Sequence, residues 1–283
     1  MKKIAFYGKG GIGKSTIAAN ISALYSAEGG KVLHIGCDPK ADSTRLLMRR
    51  RIPTVLEQLE KLNDGLTEGD ILFEGKYGVW CAEAGGPQAG MGCAGLGITS
   101  AVNELERLGI MSGSWDMIVY DVLGDVVCGG FSVPMRKHYA DQIYIVTSAD
   151  YMSLYAANNI LKGCRHYSGK DRNLAAGLIL NHIKNDQEMM IGCRFADRTG
   201  IPVAACLRES SEMQAADYKN ALFTEVFPEG ENAMEIRFLL QRILEYNEET
   251  DTGYRSYGEQ EIHPMDEMQM EGFRKEILYD YKM

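Results

Sequence analysis

Short apolar runs rich in β-branched and aromatic residues recur along the chain, each bounded by glycine or polar residues. Residues 3–7 (KIAFY), 31–36 (KVLHIG), 117–121 (MIVYD), 142–147 (QIYIVT), 174–181 (LAAGLILN) and 202–206 (PVAAC) read as buried strands. Residues 16–28, 52–62, 98–108 and 151–167 carry apolar positions at helical spacing. Alternation of the two kinds predicts an α/β fold, with one mostly parallel sheet covered by helices on both faces. Residues 63–78 are polar and punctuated by glycine, and read as a loop with one short element.

Two segments break the alternation. Residues 83–97 hold six glycines and one proline in fifteen positions, which predicts neither regular helix nor strand. From residue 246 onward ten acidic residues face four basic ones, yet Tyr254, Tyr257, Phe273, Tyr279 and Tyr281 argue against plain disorder. The expectation is an acidic tail over 246–283, packed on the surface or on a partner subunit.

Composition narrows the function classes. With 283 residues, 45% of them hydrophobic, the chain can bury one large α/β core. A net charge of −9 argues against nonspecific binding to nucleic acid or an anionic membrane. No apolar run approaches the ~18 residues of a membrane span, and Met1 runs straight into a strand rather than a signal peptide. A cytoplasmic protein with neither nucleic-acid nor membrane partner is expected. Seven scattered cysteines without a C-x-x-C pair read as reduced thiols or metal ligands rather than a disulfide framework.

The first strand leads into Gly8-Lys9-Gly10-Gly11-Ile12-Gly13-Lys14-Ser15-Thr16, which fits G-x-x-x-x-G-K-[ST] between a strand and a helix. Backbone amides of such a loop turn inward on phosphate oxygens, Lys14 reaches the terminal phosphates, and the Ser15 hydroxyl suits magnesium. The following helix adds its N-terminal dipole. Lys9, directly after the first glycine, resembles the deviant Walker A branch of P-loop proteins, which includes nitrogenase iron proteins, partition ATPases and septum-site ATPases. There this lysine contacts nucleotide on the partner subunit, which implies a dimer. Asp38 and Asp42 follow the second strand and Asp121 ends the third, with Asp125 shortly beyond; carboxylates at these strand ends suit magnesium or an attacking water. For Asp42-Ser43-Thr44 a polar helix cap is a compatible alternative.

Cys93 and Cys128 are each set in glycine, as Gly92-Cys93-Ala94-Gly95 and Cys128-Gly129-Gly130. A cubane iron–sulfur cluster needs four thiolates, so two per chain are half a set that a two-fold dimer completes. The alternative is a pair of buried thiols in tight turns. Cys37, Cys81, Cys164, Cys193 and Cys206 read as ordinary thiols.

GKGGIGKST at 8–16, GCDPKADSTRLL at 36–47, GGPQAGMGCAGLG at 85–97 and YDVLGDVVCGGF at 120–131 resemble the nitrogenase iron protein family, as do AANNI at 156–160 and LILN at 178–181. The likeness runs from residue 1 to about 243. It implies a P-loop iron–sulfur ATPase domain over 1–245 in a homodimer that holds MgATP and one shared [4Fe–4S] cluster. It implies that Lys9 and Lys14 bind phosphates within the loop Gly8 to Thr16, and that Ser15 ligates magnesium. Asp38 and Asp42 would act around the γ-phosphate, Asp121 and Asp125 would link ATP to the cluster, and Cys93 and Cys128 would ligate it. Asn181 would meet the adenine. The implied partners are a larger catalytic protein of nitrogenase or nitrogenase-like type and a ferredoxin or flavodoxin as donor.

The sequence departs from that pattern at Leu96, where an arginine usually follows the cysteine-alanine-glycine run. This predicts no ADP-ribosylation at that position and altered docking electrostatics. Two alternatives stay open: a reductase of the same architecture serving tetrapyrrole or carbon–sulfur reduction, and a cluster-free ATP switch of the partition type.

Overall fold

The structure, a computed structural model, describes residues 1–86, 94–124, 130–136, 138–168, 173–246 and 262–280. Its strands are β1 (Lys2–Tyr7), β2 (Val32–Cys37), β3 (Phe73–Glu74), β4 (Trp80–Glu83), β5 (Met117–Val122), β6 (Gln142–Thr147), β7 (Ala175–Ile183) and β8 (Val203–Arg208). They form one sheet in the order β3-β4-β2-β5-β1-β6-β7-β8, parallel throughout except for β3 against β4 at one edge. The mostly parallel α/β fold expected from the alternation is the fold observed.

β1 sits between β5 and β6, with Phe6 opposite Asp121 on one side and Tyr144 on the other. Ile4 and Phe6 point into one core, Ala5 and Tyr7 into the other. A strand buried on both faces has no polar alternation, which is why KIAFY reads as a continuous apolar run.

The helices are α1 (Lys14–Ala27), α2 (Arg45–Met48), α3 (Val55–Leu62), α4 (Ala94–Arg107), α5 (Tyr151–Ser168), α6 (Asp186–Thr199), α7 (Ser211–Tyr218), α8 (Phe223–Val226), α9 (Glu231–Glu245) and α10 (Glu267–Asp280). α1, α7, α8 and α9 cover one face of the sheet; α3, α4, α5, α6 and α10 cover the other.

Several boundaries differ from the sequence expectation for identifiable reasons. The helix expected from residue 52 starts at Val55, because Thr54 accepts from the Glu57 amide at 3.2 Å while the Glu57 carboxylate accepts from the Thr54 amide at 3.1 Å. The glycine-rich run is shorter than 83–97: Glu83 closes β4 and Ala94 opens α4. Ile98, Ala101, Val102 and Leu105 bury the core face of α4, which outweighs the roughly 1 kcal/mol that glycine costs inside a helix. β4 escaped notice because four residues carry no readable period; its pairing with β2, Leu33 opposite Trp80 through Gly36 opposite Glu83, makes it a strand.

The described part of the tail lies on its own chain. Asn158 donates to the Met265 carbonyl and accepts from the Met265 amide, both at 2.8 Å and buried. Met270, Phe273 and Ile277 of α10 sink into the core beside Phe195, whose ring centroid is 6.2 Å from that of Phe273.

Candidate nucleotide site and switch

The phosphate loop hangs between the carboxyl end of β1 and the first turn of α1. Gly13 holds φ at 91°, a left-handed conformation that a glycine reaches without strain. No side chain caps α1 and its first turn has no acidic residue, so its leading amides are left for an anion. Lys14 is only 7% exposed, and its ammonium donates to the Lys9 carbonyl at 3.2 Å. Burial lowers its pKa, while Asp121, Asp38 and Asp42 pull it back up. The sheet order explains the gathering, since β2 and β5 run side by side and deliver their carboxyl-end aspartates next to the loop that leaves β1.

Asp121 is buried at the end of β5, and neither of its oxygens closes a hydrogen bond of ordinary geometry among the described residues. Burial pushes its pKa up, opposed by Lys14 first and then by the hydroxyls of Ser15 and Ser43, which face it. A desolvated carboxylate with open lone pairs, beside a lysine and a P-loop serine, is a geometry that fits a cation or its ligated water. Just beyond it Gly124 lies on the phosphate loop so closely that a Cβ there would land on the Gly8 carbonyl.

The far end of the same stretch is also fastened. The Tyr7 hydroxyl donates to the Phe131 carbonyl at 2.8 Å in the core, and the Ser132 and Tyr167 hydroxyls share a hydrogen bond of 2.8 Å. Gly130, two residues past Cys128, lies backbone to backbone with Gly95, two residues past Cys93. The two cysteine segments therefore meet at their flanks. Cys93, Cys128 and Asp125 themselves lie outside the described residues.

Asn181 ends up against the phosphate loop, its amide donating to the Ile12 carbonyl at 2.8 Å; its Oδ1 is buried with no partner among the described residues. Lys9 stands 4.0 Å from Asp150, both roughly half exposed. A surface pair of this kind contributes about 0–1 kcal/mol, so little holds Lys9 to its own chain. Leu96 is 69% exposed on the first turn of α4.

Two buried groups beside the site were not singled out by sequence reasoning. His34 bridges the Ser22 and Ser43 hydroxyls, 2.8 Å to each, and burial drives its pKa down to about 3, so it acts as a neutral clamp on Ser43. Glu83 accepts from both the amide (2.7 Å) and the hydroxyl (2.8 Å) of Thr44, and burial pushes its pKa up to about 8. Ser43 and Thr44 are thus spent on His34 and Glu83, and neither side chain caps α2. The available signal for Glu83 was a carboxylate ending a short apolar run (WCAE), the pattern that marks Asp121.

The five described cysteines are free: Cys37, Cys81 and Cys164 are buried, with thiol pKa values raised by that burial, and Cys193 and Cys206 are partly buried.

Residues 2–263 match the sequence model of the 4Fe-4S iron sulfur cluster binding proteins, NifH/frxC family. The chain belongs to that family. It is similar to nitrogenase iron protein 2 of Methanothermobacter thermautotrophicus, 48% identical over 250 residues that span 88% of this chain and 92% of that one. It is likewise 48% identical over 250 residues to the nitrogenase iron protein of Methanospirillum hungatei, covering 86% and 88% of the two chains. Among solved structures, the MinD cell division protein of Aquifex aeolicus superposes with a TM-score of 0.65 at 20% identity over 87% of this chain and 98% of that one. A ParA family ATPase from Chlorobium tepidum gives 0.65 at 20%, over 87% and 100%. At such identity these neighbours share the fold alone, whereas membership in the nitrogenase iron protein family rests on sequence along most of the chain. Among the described residues, no helix is long and apolar enough to cross a membrane.

Proposed function

We propose that this protein is an ATP-dependent, low-potential reductase that acts as a homodimer and passes electrons to the catalytic protein of nitrogenase. The observation that carries the reading is Asp121, buried with open oxygens beside Lys14 and Ser15 at the start of a stretch whose far flank meets the flank of Cys93. A phosphate-sensing carboxylate and a thiolate segment on one short length of chain are what coupling of ATP to a redox centre requires.

In this reading the amides of residues 8–13 and the Lys14 ammonium hold the phosphates of MgATP. Ser15 ligates magnesium, and Asp121 and Asp125 receive it or its water. Asp38 and Asp42 orient the water that attacks the γ-phosphate; catalysis rests on positioning and charge. Lys9 exchanges its weak pair with Asp150 for the partner's nucleotide. The unpartnered Oδ1 of Asn181 takes the exocyclic amine of the adenine. Cys93 and Cys128, with the same two thiolates of a second copy, are the donor set of a [4Fe–4S] cluster. When bound, the cluster supplies one-electron transfer at low potential, recharged by a ferredoxin or flavodoxin.

Iron, acid-labile sulfide and EPR analysis of anaerobically purified protein, with the mass measured on the same sample, tests the reading. About four iron per dimer and a spectrum that responds to MgATP are expected. A colourless protein that dimerises on ATP and takes up no iron on reconstitution would replace it with the cluster-free partition-type switch. The exposed Leu96 favours a second reading, a reductase for tetrapyrrole or carbon–sulfur chemistry. That reading takes over if the loaded protein responds to MgATP but passes no electrons to a nitrogenase catalytic protein.

A further inference from the structure

β4 lies one strand in from the edge of the sheet, and Glu83, Ala84 and Gly86 at and just after its end each touch the stretch of residues 36–44. The Glu83 carboxylate takes both the amide and the hydroxyl of Thr44. The Ala84 amide donates to the Gly36 carbonyl at 2.8 Å. Gly86 rests on Pro39 with no room for a Cβ. Three successive contacts therefore lash the chain before Cys93 to the loop that carries Asp38 and Asp42. Glu83 is fully buried, its Oε2 has no partner among the described residues, and the carboxylates of Asp121 and Asp42 bear on it electrostatically.

We propose that Glu83 is a positioning residue that ties the γ-phosphate loop, through Thr44, to the segment leading into Cys93, a second line of communication beside the Asp121–Cys128 stretch. The inference rests on the ATP and cluster reading above. Of the three links, the carboxyl is the one that a side chain of residues 83–86 supplies, so it can be cut without altering their backbone. Buried as it is, it stays largely protonated at neutral pH, and its amide isostere keeps the acceptor that Thr44 uses.

The test is hydrogen–deuterium exchange on the full-length, cluster-loaded dimer with and without MgATP, read separately over residues 38–48 and 84–100. In the wild type both regions should change. Glu83→Ala should keep the response of 38–48 and ATP affinity within about threefold, yet lose most of the response of 84–100. Glu83→Gln should restore it. If Glu83→Ala does not fold, Thr44→Val decides, because it removes only the hydroxyl half of the tie and should weaken the 84–100 response at least twofold. An undiminished 84–100 response in the folded Glu83→Ala variant, or in Thr44→Val where that variant decides, would overturn the proposal. So would a Glu83→Gln variant as impaired as Glu83→Ala, since the alanine effect would then be loss of packing. A wild type whose 38–48 region ignores MgATP would instead overturn the ATP reading on which the proposal stands.

Discussion

Replacing Glu83 by glutamine should change how stability depends on pH. In the folded protein burial moves the Glu83 pKa from 4.5 up to about 8, with the Thr44 hydrogen bonds opposing the shift and Asp121 and Asp42 adding to it. The folded chain thus holds a proton that the unfolded chain releases, and the sign follows: this contribution is complete below about pH 4.5 and is lost as pH rises through about 8. Each pH unit in that window costs up to about 1.4 kcal/mol; between pH 6 and 8 the loss is about 2 kcal/mol, because the folded group is half ionised at the upper limit. Glu83→Gln mimics the protonated acid and has no proton to lose. Urea denaturation of anaerobic, nucleotide-free protein at pH 6, 7 and 8, at one protein concentration, should show the variant gaining about 2 kcal/mol on the wild type across the range. A difference flat to within about 0.5 kcal/mol would refute the reasoning, and would mean that Glu83 is already ionised at pH 6.

Other outcomes follow from the site and the core. Lys14→Ala should abolish ATP-dependent electron transfer while iron content stays at the wild-type level, checked by metal analysis beside the transfer assay. Cys93→Ser or Cys128→Ser should remove the cluster and leave ATP binding intact; full iron in either variant contradicts a bridging site. Tyr7→Phe leaves the buried Phe131 carbonyl without its donor and should destabilise the protein by about 1–3 kcal/mol in denaturant titration. Asn158→Ala removes both buried bonds to Met265, so limited proteolysis should release α10 faster than from the wild type.

The fold was legible where the signal is repetitive and strong. β1, β5 and β6 are buried on both faces, so their sequences are continuous apolar runs. The loop of residues 8–16 is legible for a different reason: its glycines and Lys14 fit a short motif, G-x-x-x-x-G-K-[ST], whose spacing does not depend on the packing of one protein. Glu83 stayed hidden because its meaning is tertiary; a glutamate after Trp80-Cys81-Ala82 is unremarkable until β2 pairs alongside and sets Thr44 against it. His34 was hidden likewise, since a histidine inside an apolar strand becomes a clamp only when Ser22 and Ser43 flank it. The helical start of α4 does not show in its glycine content, because the core face that Ile98 to Leu105 provide is what holds the helix.

The position of β1 in the sheet bears on how the molecule is made. This strand is made well before its neighbours in the sheet, residues 117–122 and 142–147. Until residues 117–122 have been synthesised, Ile4 and Phe6 have no partner strand and the loop of residues 8–13 has no Asp121 beside it, and the second neighbour follows only at residues 142–147. Contacts so distant along the chain close slowly and leave an apolar strand open to wrong pairings meanwhile. On the proposed function, nucleotide binding is therefore a late event in biogenesis. Ribosome-bound fragments ending before residue 147 should fail to retain ATP, although every residue of the phosphate loop is already present.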